Sequence, residues 1–518
     1  MLHHTWIMKN SRQTNSVLNV LVMLLAKFFQ IVLTFFIRRT LIVNLGEEIL
    51  GIDGLFSGIL SVLSLADLGI NTAIIYALYN PISQKDEKKI AAFVAFFKKA
   101  YILVGLFILV VGVLLTPFIE KIVNLDKNIE NINLYYVLTI FYTAASYFCS
   151  SRRVIFEADQ RNRIVTMIDA LANVASQVGQ VLIILLIKDY IIVLLCRIVF
   201  SIIGNAYIYY LGDKEYLYLK KYKHLKLCKS EKNALLKDTG AVLCHKIGGV
   251  VVNSTDSIII SAFMGIVLAG YYSNYITVIN GVSIFVTGVF SVIIPSIGNL
   301  KAETSDVEYH YTIFETVFLA NYLLSGFCTV VLFSLINPFI SVWLGEKYVF
   351  NSLTTFLLCI NFYLTTMRYG VGAFCTAGGL FKETIIKPIV ESVVNLVVSI
   401  MLVQHYGLSG VIIGTIASLI VGSIWVDPYF LFTRWFNKSV KMYYVYFSIM
   451  FVIVCMLSML SFKIISLIEM EGIMGFIAKM VISCVVGAVG VFVTARYFPG
   501  FVDLRERLVG VLRRIRKK

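Results

Sequence analysis

The sequence predicts an all-α polytopic membrane protein, with about 14 transmembrane helices forming two six-helix pseudo-repeat lobes around a central cavity, plus two additional C-terminal helices. Three observations carry this. Hydrophobic residues make up 59% of the 518 and charged ones 14%, with a mean hydropathy of +0.85, which excludes an ordinary soluble domain. The apolar runs are long and unbroken, as helices that satisfy their own backbone hydrogen bonds require, whereas a barrel would show short alternating strands. Finally, the two halves of the chain share a polar pattern at a nearly constant offset.

The first run, Val17 to Leu45, is long enough to span a bilayer and carries Lys27 about a third of the way in. A cation at the membrane centre costs on the order of 3 kcal/mol by insertion scales, so it faces a wet cavity, pairs with an acid or snorkels to the interface. A second run, Gly240 to Phe263, holds Lys246, which follows Lys27 at an offset of 219 in the numbering. Gly46 and Gly51 correspond to Gly265 and Gly270 at the same offset. Asp169 and Asn173 match Glu391 and Asn395 at an offset of 222. Internal symmetry of this kind predicts a transporter built from repeats, with its substrate site between them.

Apolar runs bounded by charge or turn residues start near Val17, Ile49, Ala91, Ile132, Ile164, Tyr190, Gly240, Gly270, Thr312, Ser352, Ile385, Leu408, Met442 and Ile473. The expected organisation is an N-terminal lobe over 1–212 (spans 1–6), a lysine-rich cytoplasmic linker over 213–238, and a C-terminal lobe over 239–436 (spans 7–12). Two additional helices over 437–497 and a basic cytoplasmic tail over 498–518 complete it.

Lysine and arginine in the loops set the expected orientation. Lys85, Lys88 and Lys89, the arginines between 152 and 163, the lysines of the linker, and Arg434, Lys438 and Lys441 fall on one side, the cytoplasm, with both termini. Most of the +15 net charge is then topology and contact with anionic membrane lipid, and nucleic acid is not required. The first apolar run is too long for a signal-peptide core and lacks a small-residue cleavage site, so it is expected to remain attached. The nine cysteines show no metal or disulfide spacing and read as packing residues.

The chemistry is expected at intramembrane charges. Lys27 and Lys246 suit an anionic ligand, and Arg368 and Arg197 are further candidate cavity cations, with an internal ion pair as the alternative for each. Near the outer end of the first span, Arg38 and Arg39 either snorkel or close an outer gate with Asp256, which lies at nearly the same depth by the 219 offset. Charge swapping that fails to restore activity lost in the single variants would remove that gate. Asp67, Asp169 and Glu391 are acids inside spans, and the acid-x-x-x-Asn spacing puts Asp169 with Asn173, and Glu391 with Asn395, on one helix face. Such carboxylates serve coupling to a proton or sodium gradient, neutralise an arginine, or cap a helix. Pro388 and Gly248 and Gly249 allow kinks or close helix approach. No phosphate-binding glycine loop, H-E-x-x-H or G-x-S-x-G motif is present, so no enzyme, cofactor or metal is expected.

In LGEEILGIDGLFSGILSVLSLADLGINTAIIYAL, FEADQRNRIVTMIDALANV and GLFKETIIKPIVESVVNLVVSIMLVQHYGLSGVIIGTIAS, and in their order, the chain resembles the polysaccharide transporter family of lipid-linked oligosaccharide flippases. This family lies within the multidrug/oligosaccharidyl-lipid/polysaccharide (MOP) superfamily. The resemblance implies a V-shaped cavity, alternating access, and movement of undecaprenyl-diphosphate oligosaccharide from the inner to the outer leaflet of the bacterial plasma membrane, for exopolysaccharide or another surface polymer. A polysaccharide polymerase and other assembly proteins are the implied partners, and Lys27 and Lys246 match the basic residues that face the diphosphate. Two readings compete. A multidrug/toxin extrusion antiporter would need acids and aromatics in the cavity, and an integral-membrane polysaccharide polymerase or ligase would need a sizeable substrate-side loop. A scaffold is the remaining alternative.

Overall fold

The computed structural model describes residues 12–64, 70–123, 129, 131–222, 224–228, 231–232, 254–380, 383–384, 386–470 and 472–516. Every regular element among them is helical, and nine stretches are long and apolar enough to cross a membrane. The chain divides into two compact units, Met1–Gly270 and Tyr271–Lys518.

Unit 1 contains α1 (Arg12–Leu45), α2 (Glu47–Leu63), α3 (Ile70–Ser83), α4 (Glu87–Val123), α5 (Ile132–Cys149), α6 (Arg153–Ala158), α7 (Asn162–Leu186), α8 (Tyr190–Glu215) and α9 (Tyr218–Lys221), then α10 (Ser254–Met264). Its boundary falls just inside α11 (Ile266–Glu303). Unit 2 holds the rest of α11, α12 (Val307–Leu344), α13 (Ser352–Gly378), α14 (Lys387–Val421), α15 (Ser423–Leu431), α16 (Lys441–Ser466), α17 (Gly472–Ala495) and α18 (Phe501–Arg516). Helices start at Ile132, Tyr190 and Ser352, where apolar runs begin in the sequence. The run from Ile49 is instead two helices, α2 and α3.

Local chemistry sets the boundaries. Asp189 caps α8 by accepting from the Ile191 amide at 2.7 Å, Asp306 caps α12 from Tyr309 at 3.1 Å, and Asn351 caps α13 from Thr354 at 2.8 Å, each satisfying an amide with no intrahelical partner. Glu47 and Glu48 in the first turn of α2 complement its dipole. Pro388 does not kink an apolar span. It sits in the first turn of α14, where its missing N–H costs no helical hydrogen bond.

α14 consists of two helical arms that meet and reverse at Gly407, whose φ is 55°. Asn395 Nδ2 donates to Thr415 Oγ1 at 2.9 Å and Ser399 Oγ to the Val411 carbonyl at 3.2 Å. In a straight helix residues 395 and 415 would lie about 30 Å apart, so the two arms form an antiparallel hairpin. Gly410, Gly414, Ser418 and Gly422 recur every fourth residue on the second arm. Cβ atoms at Gly410 and Gly414 would stand 2.3 Å from the Leu402 carbonyl oxygen and 2.1 Å from Ser399 Oγ, so the small side chains set the helix separation. In unit 1, α7 and α8 form the corresponding hairpin, turning at Lys188 with φ 58°.

The repeat is written in the backbone. Left-handed φ values occur at Gly46 and Gly265, at Gln160 and Gly379, and at Lys188 and Gly407, and every one of these pairs keeps the 219 offset. The acid-x-x-x-Asn pairs, matched at 222, therefore lie three residues out of register with the turns on either side of them. Asp169 corresponds to Pro388, and Glu391 to Ala172.

Candidate functional site

The interior of unit 1 is polar where α7 and α8 meet. Asp169, Asn173, Ser176 and Gln180 recur at helical spacing on α7, and Arg197, Ser201 and Asn205 on α8. Two ion pairs anchor this seam. Arg197 donates to Asp53 of α2 through NH1 and to Gln180 Oε1 through Nε at 2.7 Å, while the Tyr190 hydroxyl donates to Asp53 at 3.1 Å. Arg38 of α1 interacts electrostatically with Asp53 and Arg197. Further along, Arg153 of α6 holds Asp169 with two hydrogen bonds of 2.6 Å and also donates to Asn205 Oδ1 at 3.0 and 2.9 Å. A planar guanidinium facing a carboxylate with two parallel bonds is among the strongest of such pairings.

Arg153 and Asn205 both line two cavities. One of about 180 Å³ includes Asp169, Asn173 and Arg197, and another of about 330 Å³ includes Asn71, Tyr101, Tyr147 and Glu157. In the membrane such groups pair with one another or face a water-filled cavity, and here Arg197 and Arg153 are matched by carboxylates within hydrogen-bonding reach. Arg197 thus has the internal ion pair weighed as its alternative, and Asp169 neutralises an arginine.

In unit 2 the acids serve the hairpin. Glu391 on the first arm of α14 accepts from the Ser423 amide at 2.6 Å and from the Ser423 hydroxyl, which satisfies an amide at the start of α15. Lys387 pairs with Asp427 at 2.7 Å, with only 13% and 6% of their side chains exposed. Arg368 on α13 is half-buried, with no carboxylate partner among the described residues.

Of the other candidates, Asp256 on α10 is 3% exposed, Arg38 is half-buried and Arg39 exposed. Lys27 lies within α1 by its backbone, and its side chain is outside the described residues, as are Lys246 and Asp67 altogether. The groups that sequence reasoning passed over are Asp53, Arg153, Gln180, Tyr190 and Asn205. Asp53 had a legible signal, a lone acid in the apolar run after Ile49. Arg153 read as a loop cation because it adjoins Arg152.

Removing one partner from the Arg153–Asp169 pair leaves the other charge partly buried. Asp169→Asn is expected to destabilise the purified protein by about 1.5–3 kcal/mol, the range for hydrogen bonds to charged groups, read as a lowered melting temperature in detergent. Arg153→Lys, which keeps the charge but loses the fork, is expected to be destabilised as well, since one ammonium cannot hold both carboxylate oxygens and Asn205 in the same geometry. A melting temperature unchanged in both variants would contradict this account of the pair.

These features define a multi-pass membrane protein with the fold of MOP superfamily transporters. A structure of the lipid II flippase MurJ in an inward closed conformation matches 92% of this chain and 99% of its own, with a TM-score of 0.65 at 16% identity. An inward-facing multidrug resistance transporter of the MATE family matches 78% of this chain and 97% of its own, with a TM-score of 0.58 at 12% identity. A MATE transporter in the bent conformation matches 80% and 94%, with a TM-score of 0.54 at 12% identity. The chain belongs to the polysaccharide biosynthesis protein family, whose pattern matches residues 16–301. Its fold is that of the transporters named above. No curated protein matches it in sequence.

Proposed function

We propose that this protein is a flippase that moves undecaprenyl-diphosphate-linked oligosaccharide units from the cytoplasmic to the outer leaflet of the bacterial plasma membrane by alternating access. The observation that carries this reading is the family match on a chain whose backbone turns repeat at a fixed offset, the same offset that separates Lys27 from Lys246. Fourteen spans form two six-helix lobes, over 1–212 and 239–436, joined by the basic linker and followed by two further helices and the tail. Both termini lie in the cytoplasm.

In this reading Lys27 and Lys246 receive the diphosphate, and Arg368 adds a third cation on the second lobe. A diphosphate held by many desolvated cations would not leave, so two or three cavity charges suit a carrier. The sugars occupy the water-filled space and the polyprenyl chain stays in lipid. Arg197, Arg153 and Asp169 position the helices that rock. Arg38 or Arg39 closes the outer face with Asp256. A proton or sodium gradient supplies the direction, and a polymerase takes the flipped unit.

The test is transport by the reconstituted native chain. Translocation of a short undecaprenyl-diphosphate oligosaccharide is expected, and efflux of an organic cation is not. Cation efflux driven by sodium or protons, with no lipid translocation across varied sugars and gradients, would replace this reading with the multidrug antiporter. Joining of sugars by the purified chain would replace it with a polymerase or ligase.

A further inference from the structure

A cavity of about 1060 Å³ runs along α4 in unit 1. One wall is α4 itself, from Ala92 to Phe107, and the other is formed by residues 224–227 and Lys232. The described residues of this stretch are held on the helix. Lys89 pairs with Glu231 at 2.8 Å, Leu219 is 2% exposed, and Leu227 packs on the core formed with Phe93, Val94 and Phe97.

The cavity is basic. Lys99, His224, Lys226 and Lys232 are among its lining residues, and among the described lining residues none is acidic. Lys98, the neighbour of Lys99, is turned to Tyr209, 3.4 Å from its hydroxyl and 5.6 Å from its ring centroid, whereas Lys99 is exposed. Beyond the lysine pair the helix is apolar from Ala100 to Leu115, and Leu103 and Phe107 line the cavity while 67% and 49% exposed. A site lined by three ammonium groups and, one and two turns beyond Lys99 along α4, by the apolar Leu103 and Phe107 matches an amphiphile with an anionic head and hydrocarbon chains.

From this juxtaposition we infer that the groove lined by α4, residues 224–227 and Lys232 is a binding site for an anionic phospholipid of the bilayer. Its phosphate lies among Lys99, Lys226 and Lys232, and an acyl chain lies along Leu103 and Phe107. A resident lipid there bridges the linker to α4, complementing the Lys89–Glu231 pair. The inference needs only the membrane placement of α4 and is independent of which substrate is transported.

The test uses the full-length chain carrying Leu103→Trp, reconstituted in phosphatidylcholine with increasing fractions of phosphatidylglycerol brominated in its acyl chains. Background quenching is taken from the chain without that substitution. Half-quenching is expected at a several-fold lower mole fraction of brominated phosphatidylglycerol than of brominated phosphatidylcholine. Each of Lys99→Gln, Lys226→Gln and Lys232→Gln is expected to reduce that preference, by up to about fivefold for a basic residue near the surface. Equal quenching by the two lipids would overturn the proposal, as would a preference that survives all three substitutions. Undecaprenyl diphosphate that relieves quenching at a lower mole fraction than unlabelled phosphatidylglycerol would reassign the groove to the polyprenyl carrier and also overturn it. If the triple variant does not fold, the single variants and the lipid preference of the Leu103→Trp chain decide.

Discussion

Asp53→Ala is expected to lower the stability of the purified protein by about 3–5 kcal/mol, the range for removing one partner of a buried pair. Asp53 is the carboxylate that Arg197 and the Tyr190 hydroxyl both contact, and Arg38 lies within its field. The side chains of Arg197 and Asp53 are each 21% exposed, which places the expected loss at the lower end of that range. The cost comes from stranding the guanidinium rather than from losing attraction. Arg197→Leu in the Asp53→Ala background is therefore expected to recover part of the loss, although Arg38 remains without that carboxylate. Thermal unfolding in detergent of the two single variants and the double variant measures this. Strictly additive losses would contradict the description of Arg197 and Asp53 as one unit.

The second large effect is steric. Glycine at 51 lets α2 cross the start of α11, because a Cβ there would stand 2.1 Å from the Ile266 carbonyl oxygen. The contact is reciprocal. A Cβ at Gly270 would meet the Gly51 amide nitrogen at 3.0 Å and the Glu47 carbonyl oxygen at 3.5 Å. Glu47 precedes Ile266 by the same offset that separates Gly51 from Gly270. The obstacle is backbone, which cannot swing aside as a side chain would. Gly51→Ala is expected to cost at least the ~1–3 kcal/mol of ordinary overpacking, and Gly51→Leu to abolish accumulation of folded protein. Gly298→Ala in α11, where nothing lies within 4 Å, is the control and is expected to be neutral or slightly stabilising. Membrane-fraction yield and melting temperature check the series, and a stable Gly51→Leu protein would contradict the crossing.

Helices were legible in the sequence because each span must be apolar along its whole length, and starts such as Tyr190 and Ser352 follow polar caps visible as Asp189 and Asn351. The repeat was legible in Gly46, Gly51, Gly265 and Gly270, for which the structure adds the reasons, left-handed turns and a close crossing. Its register was less so. Matching Asp169 with Glu391 by side-chain type gave 222, whereas the turns at Gln160 with Gly379 and at Lys188 with Gly407 keep 219. Lysine and glutamine in those turns carry no glycine signal, so the constancy of the offset there was hidden, although the span starts at Tyr190 and Leu408 already placed both hairpin turns. Pairing of charges was hidden for another reason. Asp53 and Arg197 are 144 residues apart, and Arg153 follows a second arginine, Arg152, that pairs with Asp213 instead, so neither partner could be chosen from local spacing.

In the proposed mechanism Lys27 and Lys246 receive the diphosphate of a lipid-linked oligosaccharide. The most direct measurement is translocation of such a lipid in proteoliposomes by the native chain, Lys27→Ala, Lys246→Ala and the double variant, each verified as folded by its melting temperature. Flipping by the native chain is expected, with a strong loss in each single variant and near-abolition in the double variant. Undiminished flipping by the folded double variant would contradict that mechanism.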